Sequence, residues 1–407
     1  MNWRWFPPLF LCACPSPEPP EPIEPASFVL SVENGFGSGT YEVGEVIDVF
    51  AGHDPSREVF VEWSGDVDAL DSRWEWHTRI EMPDHDVTIS AGVASTSATV
   101  EEQSWTGING TAKSVFVLMP DETPTAVLLL LHGSGGTGRF VLRTEEHAIA
   151  VTARERGWLV LSPTAEESAT GVDANGDGVF RWNTALDVSN ADIKDLDTLL
   201  EAVLGGPAPE DAPVYVAGMS NGGAMALALN QAITQDSAGD LPALASARAF
   251  VTFCARGPIE RIAATGAPHA WFMCAEDGHE GVGPEAIAEV EEASLDLDAR
   301  GVRNEVLVHE ASVLYPERFA RVDGIDEAMS RQIYDELVAA GFVVDDWITT
   351  APIDIRMAFD SDSEVFPTLA GLDRSTGLDV FTQIDATYAD HQMFSDHVVA
   401  LLDFLSE

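Results

Sequence analysis

Positive charge is the scarcest property of this 407-residue sequence. Lysine occurs only at Lys113 and Lys194, and 21 Lys and Arg residues stand against 68 Asp and Glu residues, which gives a formal net charge of −47. A surface of this sign repels nucleic acid and anionic membranes through its field. The composition therefore excludes a nucleic-acid partner. It favours surroundings in which salt screens the self-repulsion, such as those of a halophilic or marine source.

The N-terminus lacks an apolar run long enough to cross a bilayer. Arg4 precedes the short apolar run from Trp5 to Ala13, which is typical of an export signal. The end of this run, Leu11-Cys-Ala-Cys14, resembles a bacterial lipoprotein processing site, which implies cleavage before Cys14 and lipidation of Cys14. We therefore expect a signal over residues 1–14, a proline-rich tether over 15–26, and a secreted or outer-surface protein that touches the membrane only through its lipid anchor. A plain secretory signal is the alternative.

The stretch Val214–Gly223 organises the rest of the chain. A short apolar run ends in Gly218-Met-Ser220-Asn-Gly222, and small helix-forming residues follow. This order predicts a strand, a sharp turn and a helix, because only glycines fit beside a strained turn. The Ser220 hydroxyl would stand at the apex, and the Asn221 N–H would point to the same space. The alternative is a glycine-rich turn with an incidental serine.

A second glycine-rich loop follows an upstream apolar run. Ala126–Leu131 is apolar throughout, as in a strand buried on both faces of a parallel sheet, and it leads into His132-Gly-Ser134-Gly-Gly-Thr-Gly138. Two backbone donors converge on one point only where glycines keep the space clear. We therefore expect the Ser134 N–H to act with that of Asn221 as an oxyanion hole. Lys113–Met119, further upstream, is typical of an edge strand.

An acidic residue follows the later of two further apolar strands, Ala249–Cys254 and Ala270–Cys274. Asp277 sits in a turn before a glycine, where a carboxylate that orients a base is expected. Glu276 and His279 compete with it. The pairing of Cys254 with Cys274 stays open, because export permits a disulfide whereas neighbouring parallel strands hold side chains in poor geometry for one.

Two histidines near the C-terminus, His391 and His397, compete as the base. Val380–Tyr388 has the composition of a strand, and His391 follows it by three residues in a polar loop, whereas His397 lies in the first turn of a closing helix. We expect His391 to be the base and His397 to be structural. The irregular region of about residues 315–378, which contains an amphipathic helix, is interpreted as an insertion that could cap the active site.

Residues 27–95 differ in character from the rest of the chain. They contain a glycine-rich turn at Asn34–Tyr41, a Trp63-Ser-Gly-Asp66 corner and a final Met82-Pro-Asp-His-Asp-Val-Thr-Ile-Ser-Ala91 strand. This order resembles the divergent internalin-type B-repeat, which implies a small β-rich domain with a spacing or weak attachment role. Its aromatic residues are expected in the core rather than on a sugar-binding platform: Trp63, Trp74 and Trp76.

An acidic loop resembles half of a calcium-binding loop. Oxygen-bearing side chains occur at Asp173, Asn175 and Asp177, with Gly178 for the turn. The twelfth position is Thr184 rather than glutamate, which departs from the EF-hand pattern. An acidic surface turn is therefore favoured over a bound calcium ion, and no other metal is expected.

Together these segments resemble the polyhydroxybutyrate-depolymerase-like and feruloyl-esterase-like secreted esterases. The similarity covers about residues 105–265 and the end of the chain, including His391-Gln-Met-Phe394, and fails over the insertion. It implies an α/β-hydrolase fold, with a mostly parallel doubly wound sheet, over residues 100–407, preceded by the small β-rich domain. It also implies the order nucleophile, acid and base at Ser220, Asp277 and His391, since Cys274-Ala-Glu-Asp277 has the spacing of the family's G-T-x-D turn.

The function implied by this resemblance is a serine esterase that cleaves carboxylic esters through an acyl-enzyme and needs no cofactor. Polyhydroxyalkanoate, feruloyl and acetyl-polysaccharide esters, polymeric or not, are the expected substrates. A serine peptidase of the same fold is one alternative, and a surface adhesion protein with an inactive hydrolase domain is another. The natural ester and the oligomeric state stay open.

Overall fold

A small two-sheet module forms the N-terminal part of the computed structural model, which describes residues 26–187, 189–235, 241–279 and 281–407. The order in one sheet is β3-β1-β7-β5 and in the other β2-β4-β6. The strands are β1 Ser27–Glu33, β2 Gly35–Phe36, β3 Gly39–Glu42, β4 Val46–Ala51, β5 Glu58–Gly65, β6 His77–Glu81 and β7 Val87–Ser95. The predicted signal and most of the tether lie outside the described residues.

The core of this module is aromatic. Trp63 and Trp76 are 0% and 1% exposed, which confirms the expectation that they are core residues. The expectation is wrong for Trp74, which is 50% exposed and packs its ring under the Arg73 guanidinium. A side chain on a loop between two sheets is not bound by strand alternation, so the sequence pattern did not separate it from its neighbours.

An eight-stranded sheet forms the second part of the chain, in the order β8-β9-β11-β10-β12-β13-β14-β15. Its last six strands in this order are parallel, and β8 and β9 are antiparallel to their neighbours. The strands are β8 Glu101–Thr106, β9 Ala112–Leu118, β10 Ala126–Leu131, β11 Trp158–Pro163, β12 Val214–Met219, β13 Ala247–Phe253, β14 His269–Cys274 and β15 Asn304–His309. With helices on both faces this is the α/β-hydrolase fold.

The strand predicted at Lys113–Met119 forms as β9, but the prediction that it lies at the edge is wrong. The edge strand is β8, whose residues are mostly exposed and polar, so its sequence resembles a linker. The continuous apolar run of β10 is buried on both faces, as predicted. Leu128 and Leu130 pack in the core on one side of the sheet, and Val127, Leu129 and Leu131 pack on the other.

Helices cover both faces of this sheet and supply the rest of the two cores. The flanking helices are α1 Thr144–Glu155, α2 Glu166–Thr170, α3 Ala191–Val203, α4 Asn221–Gln235, α5 Ile259–Ile262 and α6 Pro284–Ala299. Within the described ranges, no helix is both long enough and apolar enough to cross a membrane.

The region after β15 is largely helical and has a core of its own. It contains α7 Glu327–Ala339, β16 Val343–Val344, β17 Trp347–Ile348, α8 Pro352–Ser361, α9 Pro367–Ala370 and α10 Arg374–Tyr388, and α11 Val398–Ser406 closes the chain. The prediction of a strand at Val380–Tyr388 is wrong, because this segment is the second half of α10. Asp373 caps the helix through bonds from the Ser375 and Thr376 amides, and Val380 and Ile384 are buried at helical spacing. The loop that carries His391 therefore follows a helix, not a strand.

The N-terminal module packs on the α/β-hydrolase-fold part of the chain through a docking face, which is formed by Trp76, His77, Tyr315, Arg321 and Asp396. The Trp76 indole donates to the Ser395 carbonyl at 3.0 Å, and the Arg321 guanidinium lies 3.7 Å from the centre of its ring. His77 contacts Asp396 at 2.7 Å. Tyr315, from the hydrolase side, is buried in the aromatic core of the module. The two parts therefore share a packed interface.

Candidate active site

Ser220 occupies the apex of the turn between β12 and α4. Its φ of +54° is rare for a residue with a side chain, and its N–H is held by the Phe253 carbonyl at 2.8 Å. A Cβ atom at Gly218 would stand 2.2 Å from the Gly222 carbonyl oxygen, and one at Gly222 would stand 2.2 Å from that of Leu131. Glycine is therefore required on both sides of the serine, and the neighbouring strands hold the strained turn in place.

His391 and Asp277 come together from two different loops. The His391 Nδ1–H donates to Asp277 Oδ2 at 2.7 Å, and Asp277 is 3% exposed. This bond leaves the Nε2 atom of His391 free to receive a proton. Glu276 and His279 were the competitors of Asp277. Glu276 is exposed, whereas the backbone N–H of His279 donates to Asp277 Oδ1, the other oxygen, at 2.9 Å. The His279 ring also packs on the His391 ring, with 4.1 Å between their centres.

His397, the other C-terminal candidate, lies elsewhere. It immediately precedes α11, and its ring meets those of His309 and Phe394 edge-on. Burial lowers the pKa of His397 to about 3, so the ring is neutral at ordinary pH. It does not line the cavity that contains His391 and Ser220.

A cavity of about 530 Å³ joins Ser220 and His391. Its walls also include Ser134 and the glycines of its loop, the start of α1, and residues of α8 and α10. Two helices of the region after β15 therefore contribute to the walls of the cavity, and α10 extends beyond the predicted insertion. The residues contributed by these helices are Ile353, Arg356, Leu378, Thr382 and Asp385.

The loop after β10 is fixed by His132, to which the sequence analysis gave no role. Burial lowers the pKa of His132 to about 4, so its ring is neutral. Its Nδ1–H donates to the Gly133 carbonyl at 2.8 Å, and its Nε2 accepts the Ala165 N–H at 3.1 Å. Both ring nitrogens are thus used to hold the loop. A histidine directly before a glycine-rich loop was the available signal.

The two amides predicted as an oxyanion hole belong to Ser134 and Asn221. The amides of Gly135 and Gly136 bond to the Phe180 and Gly133 carbonyls, whereas that of Ser134 has no partner within the described ranges. A Cβ atom on Gly133 would stand 3.4 Å from that of Ser220, so this loop passes close to the serine. Asn221 is the first residue of α4, where backbone N–H groups lack helical partners.

Trp182 connects these two loops. Its indole donates to the His132 carbonyl at 2.9 Å, and its backbone N–H donates to the Asn221 side-chain oxygen at 2.7 Å. The Asn221 side chain returns a bond to the Trp182 carbonyl at 3.3 Å. The identity of Asn221 therefore matters for holding the two loops at a fixed separation, which the sequence analysis did not foresee.

Two carboxyl groups of the cavity were missed by the sequence analysis, Glu146 and Asp385. Burial raises the pKa of each to about 7, and the charges of Arg143 and Arg356 respectively oppose that rise. Asp385 is paired with Arg356. In a chain with 68 acidic residues, nothing in the sequence distinguishes the few that are buried.

The cysteines Cys254 and Cys274 lie directly behind the site as free thiols, with 3.1 Å between their sulfur atoms. Both are within hydrogen-bond distance of the Gln392 carbonyl, one residue after His391. Burial raises the pKa of the Cys274 thiol well above its usual range. Both side chains are buried, as expected of packing residues. Cys14 lies outside the described residues.

Asp173, Asn175 and Asp177 come together in one exposed turn. The Asp173 carboxylate accepts the backbone N–H groups of Asn175, Gly176 and Gly178, and these bonds lower its pKa. Asp177 is paired with Arg181. The oxygens that would bind calcium are occupied by donors of the loop itself, and a guanidinium stands beside them. The residues as arranged do not fit a calcium ion.

Asp277 also belongs to both groups of side chains in the described ranges that are close enough to share a metal, one with Cys254 and His391 and one with His279 and Asp390. In each group the ligand atoms lie within 4.8 Å of one another. Since both oxygens of Asp277 accept hydrogen bonds, the arrangement fits a carboxylate that orients His391 better than it fits a metal ligand.

No protein-family model and no curated protein matches the chain. Solved structures do match it. A dienelactone hydrolase from Anabaena variabilis is 17% identical, with a TM-score of 0.39 over 53% of this chain and 88% of that one. Esterase 2 of Thermogutta terrifontis, phosphoramylated by tabun, is 15% identical, with a TM-score of 0.38 over 60% and 95%. Esterase LipW of Mycobacterium marinum is 17% identical, with a TM-score of 0.37 over 52% and 72%.

Proposed function

We propose that the protein is a serine hydrolase that cleaves carboxylic esters. The observation that carries this proposal is the convergence of three parts on one cavity: a strained serine after a central strand, a histidine bonded to a buried carboxylate, and a glycine-rich loop with an unpartnered amide. A Ser-His-Asp set with backbone donors beside it is the arrangement of acyl-transfer enzymes.

The chemistry would follow from this geometry. His391 takes the Ser220 proton on Nε2 while its Nδ1–H stays bonded to Asp277, which stabilises the imidazolium. The serine oxygen attacks the ester carbonyl, and the N–H groups of Ser134 and Asn221 bind the oxygen that becomes negative. The alcohol leaves with the proton from His391. Water, activated in the same way, then releases the acid from Ser220.

The proposed substrates are those of the resemblance, namely polyhydroxyalkanoate, feruloyl and acetyl-polysaccharide esters. The cavity of about 530 Å³ is large enough for the acyl group of such an ester or for one end of a polymer chain. Phe140, Met219 and Leu378 supply apolar surface, and Arg143 and Arg356 supply polar groups at its rim.

Export and lipidation of Cys14 are a separate proposal, supported by the sequence of residues 1–26 alone, as is the assignment of residues 27–95 to the internalin B-repeat type. A wild-type protein expressed with its leader should partition into detergent, and Cys14→Ser should release it. Recovery of the unmodified chain in the medium would contradict lipidation.

Ser220→Ala tests the enzymatic proposal. The change removes the nucleophile, so hydrolysis of p-nitrophenyl acetate should fall by several orders of magnitude while the unfolding midpoint changes little. A phosphonate inhibitor should add its mass to the wild type and not to the variant. Ser246→Ala, in a turn before β13, is the matched control. Activity that survives in Ser220→Ala would refute the assignment.

A further inference from the structure

Glu146 is a buried carboxyl that lines the active-site cavity and has one oxygen without a partner. The residue is 1% exposed. Its Oε1 accepts the Gln392 side-chain amide at 2.9 Å, but its Oε2 accepts no hydrogen bond within the part of the chain that the structure describes. A buried polar atom without a partner costs free energy, so such atoms are few in native proteins. Because Glu146 lines the cavity, a rotation of its side chain would bring this oxygen to a ligand group there.

The preceding residue shows that burial alone does not explain this arrangement. Glu145 is equally buried, yet its two oxygens accept bonds from the Ser395 amide and the Gln383 side chain and face Arg318 and Arg321. The fold therefore supplies partners on that side of α1. On the cavity side it supplies one amide and leaves the other oxygen open.

The surroundings indicate which ligand group fits. Arg143 lines the same cavity and its charge acts on Glu146, and Asp385 and Asp390 line the cavity too, so charges of both signs surround a ligand there. Burial raises the pKa of Glu146 to about 7, so near neutrality the group is half protonated and both forms can bond a neutral hydroxyl, as acceptor or as donor. An alkyl group would leave the oxygen unpaired.

The position of Glu146 places this hydroxyl near the scissile bond. The Glu146 carboxyl holds the side chain of Gln392, the residue that follows His391. Both residues line the cavity that contains Ser220. A group that meets Glu146 therefore lies within one small cavity of about 530 Å³ together with the ester.

We propose that Glu146 is a specificity-determining residue that binds a free hydroxyl group of the substrate, so that the preferred substrates are hydroxylated esters. The hydroxyl belongs either to a hydroxy acid, as at the end of a hydroxyalkanoate chain, or to a sugar that carries the acyl group. This inference rests on the proposed function, since it names the substrate class of the same site.

Two matched pairs of esters test the inference. Methyl 3-hydroxybutyrate and methyl butyrate differ by a hydroxyl on the acid. Methyl 6-O-acetylglucoside and its 2,3,4-trideoxy analogue differ by three hydroxyls on the alcohol. The wild type should hydrolyse the hydroxylated member of one pair with a kcat/KM about 10- to 100-fold higher, because the deoxy analogue leaves Glu146 unpaired. The pair that shows the preference identifies the source of the hydroxyl.

Variants of Glu146 separate recognition from positioning. Glu146→Met should reduce the preference for the hydroxylated ester to near unity, whereas Glu146→Gln, which keeps hydrogen-bonding groups, should retain most of it. Glu122→Leu, on an exposed turn, is the control and should leave the preference unchanged. Circular dichroism and unfolding midpoints establish that each variant folds.

Two results would overturn the inference while leaving esterase activity in place. One is a wild type that shows no preference in either pair. The other is a Glu146→Met variant that lowers kcat/KM equally for both members of a pair, which would mean that Glu146 only holds Gln392. A folded wild type that hydrolyses none of the four esters and no p-nitrophenyl acetate would instead overturn the proposed function, and the inference with it.

Discussion

The cavity and the docking face are built from adjacent residues of the same two segments, yet they are completed differently. At the start of α1, Glu145 faces Arg321 at the docking face and Glu146 faces the cavity. In the loop before α11, Asp396 bonds His77 of the N-terminal module, whereas His391, five residues earlier, lines the cavity and bonds Asp277. Adjacent residues of one helix, and nearby residues of one loop, therefore make contacts in two different places, one at the docking face and the other in the active-site cavity.

The two buried carboxyl groups at the start of α1 differ in how their oxygens are paired, because both oxygens of Glu145 accept hydrogen bonds, whereas only Oε1 of Glu146 does so within the described residues. Glu145 has two guanidinium groups, an amide and a hydroxyl around it. In the cavity, the Ser134 amide and Glu146 Oε2 have no partner within the described residues. Buried polar groups are stabilising only when paired. Unpaired atoms also occur at or beside the docking face, on Arg318, Arg321 and Asp396, so an unpaired atom points to a ligand only where its residue also lines a cavity.

The contacts at the docking face also change the expected role of the N-terminal module. A spacer would contact the hydrolase weakly, but Trp76 and His77 hold Ser395 and Asp396 of the loop that carries His391. Glu75 accepts the Ala400 amide at 2.8 Å in the first turn of α11. The module therefore helps to fix the C-terminal segment of the hydrolase, even though none of its residues lines the active-site cavity.

The largest expected effect separates the two histidines. His391→Ala removes the proposed base and should lower kcat about 10⁴- to 10⁶-fold, as members of a catalytic set act together, with little change in stability. His397→Ala removes a buried ring beside His309 and Phe394 and should cost about 1–3 kcal/mol of unfolding free energy with little change in kcat. Steady-state rates and urea unfolding measure the two effects. If His397→Ala lowered kcat and His391→Ala lowered only stability, His397 rather than His391 would be the base.

The second effect concerns the paired acid of α1. Glu145→Gln leaves Asp396 as the carboxylate whose charge acts on the buried Arg318 and Arg321, and should lower the unfolding free energy by at most about 3–5 kcal/mol. Glu146→Gln is the matched control. Glu146 bonds the neutral side chain of Gln392 rather than a guanidinium group, so this change should cost less than about 1 kcal/mol of unfolding free energy. Urea unfolding at pH 7 measures both. Equal losses of unfolding free energy in the two variants would show that the Glu146 carboxylate is paired in the folded protein as fully as that of Glu145.

The third effect tests whether the module is only a spacer. Trp76→Phe keeps an aromatic ring between the module and Arg321 but removes the bond from the indole to the Ser395 carbonyl, so it should cost about 1–2 kcal/mol. Trp74→Phe, on the exposed ring of the same segment, should cost less than about 0.5 kcal/mol. If Trp76→Phe left the unfolding free energy unchanged, the interpretation of the N-terminal module as a spacer would be favoured.

Much of the site could be predicted because steric rules are local. Gly218 and Gly222 are required by contacts of 2.2 Å in the turn, so the strand, turn and helix around Ser220 were readable from five residues. The α/β-hydrolase fold was implied by the family resemblance of these segments, whereas the polar edge strand β8 was not predicted. The pairing of Asp277 with His391 joins loops 114 residues apart, and only the expected order of the fold suggested it.

The misread segments are those where tertiary packing outweighed composition. Val380–Tyr388 is rich in β-branched and aromatic residues, which favour strands, but the cap at Asp373 and the buried positions of Val380 and Ile384 make it a helix. Glu145 and Glu146 were not distinguishable in so acidic a chain, because burial of a carboxyl depends on partners from distant segments: Arg318, Arg321, Gln383 and Gln392.

The smallest expected effect is a pH dependence at the docking face. His77 lies between Asp48 and Asp396, with Arg79 beside Asp48 and the buried rings of His309 and His397 near Asp396. Burial lowers the pKa of His77, but the bonds to Asp396 and Asp48 outweigh burial and raise it above 6.5. Because the folded pKa is raised, this stabilisation is complete below pH 6.5 and is lost as the pH rises through the folded pKa.

His77→Gln removes that dependence. The difference in unfolding free energy between wild type and His77→Gln should therefore be largest near pH 6 and should shrink at higher pH, with a slope of at most about 1.4 kcal/mol per pH unit for one proton. Other buried groups, such as Glu146 and Asp385, titrate in both proteins and cancel in the difference. His85→Gln, on an exposed loop of the same module, should give a flat difference. A constant difference for His77→Gln from pH 6 to 9 would mean that His77 is neutral in the folded protein, and that the docking face is held by packing and neutral hydrogen bonds rather than by a charged histidine.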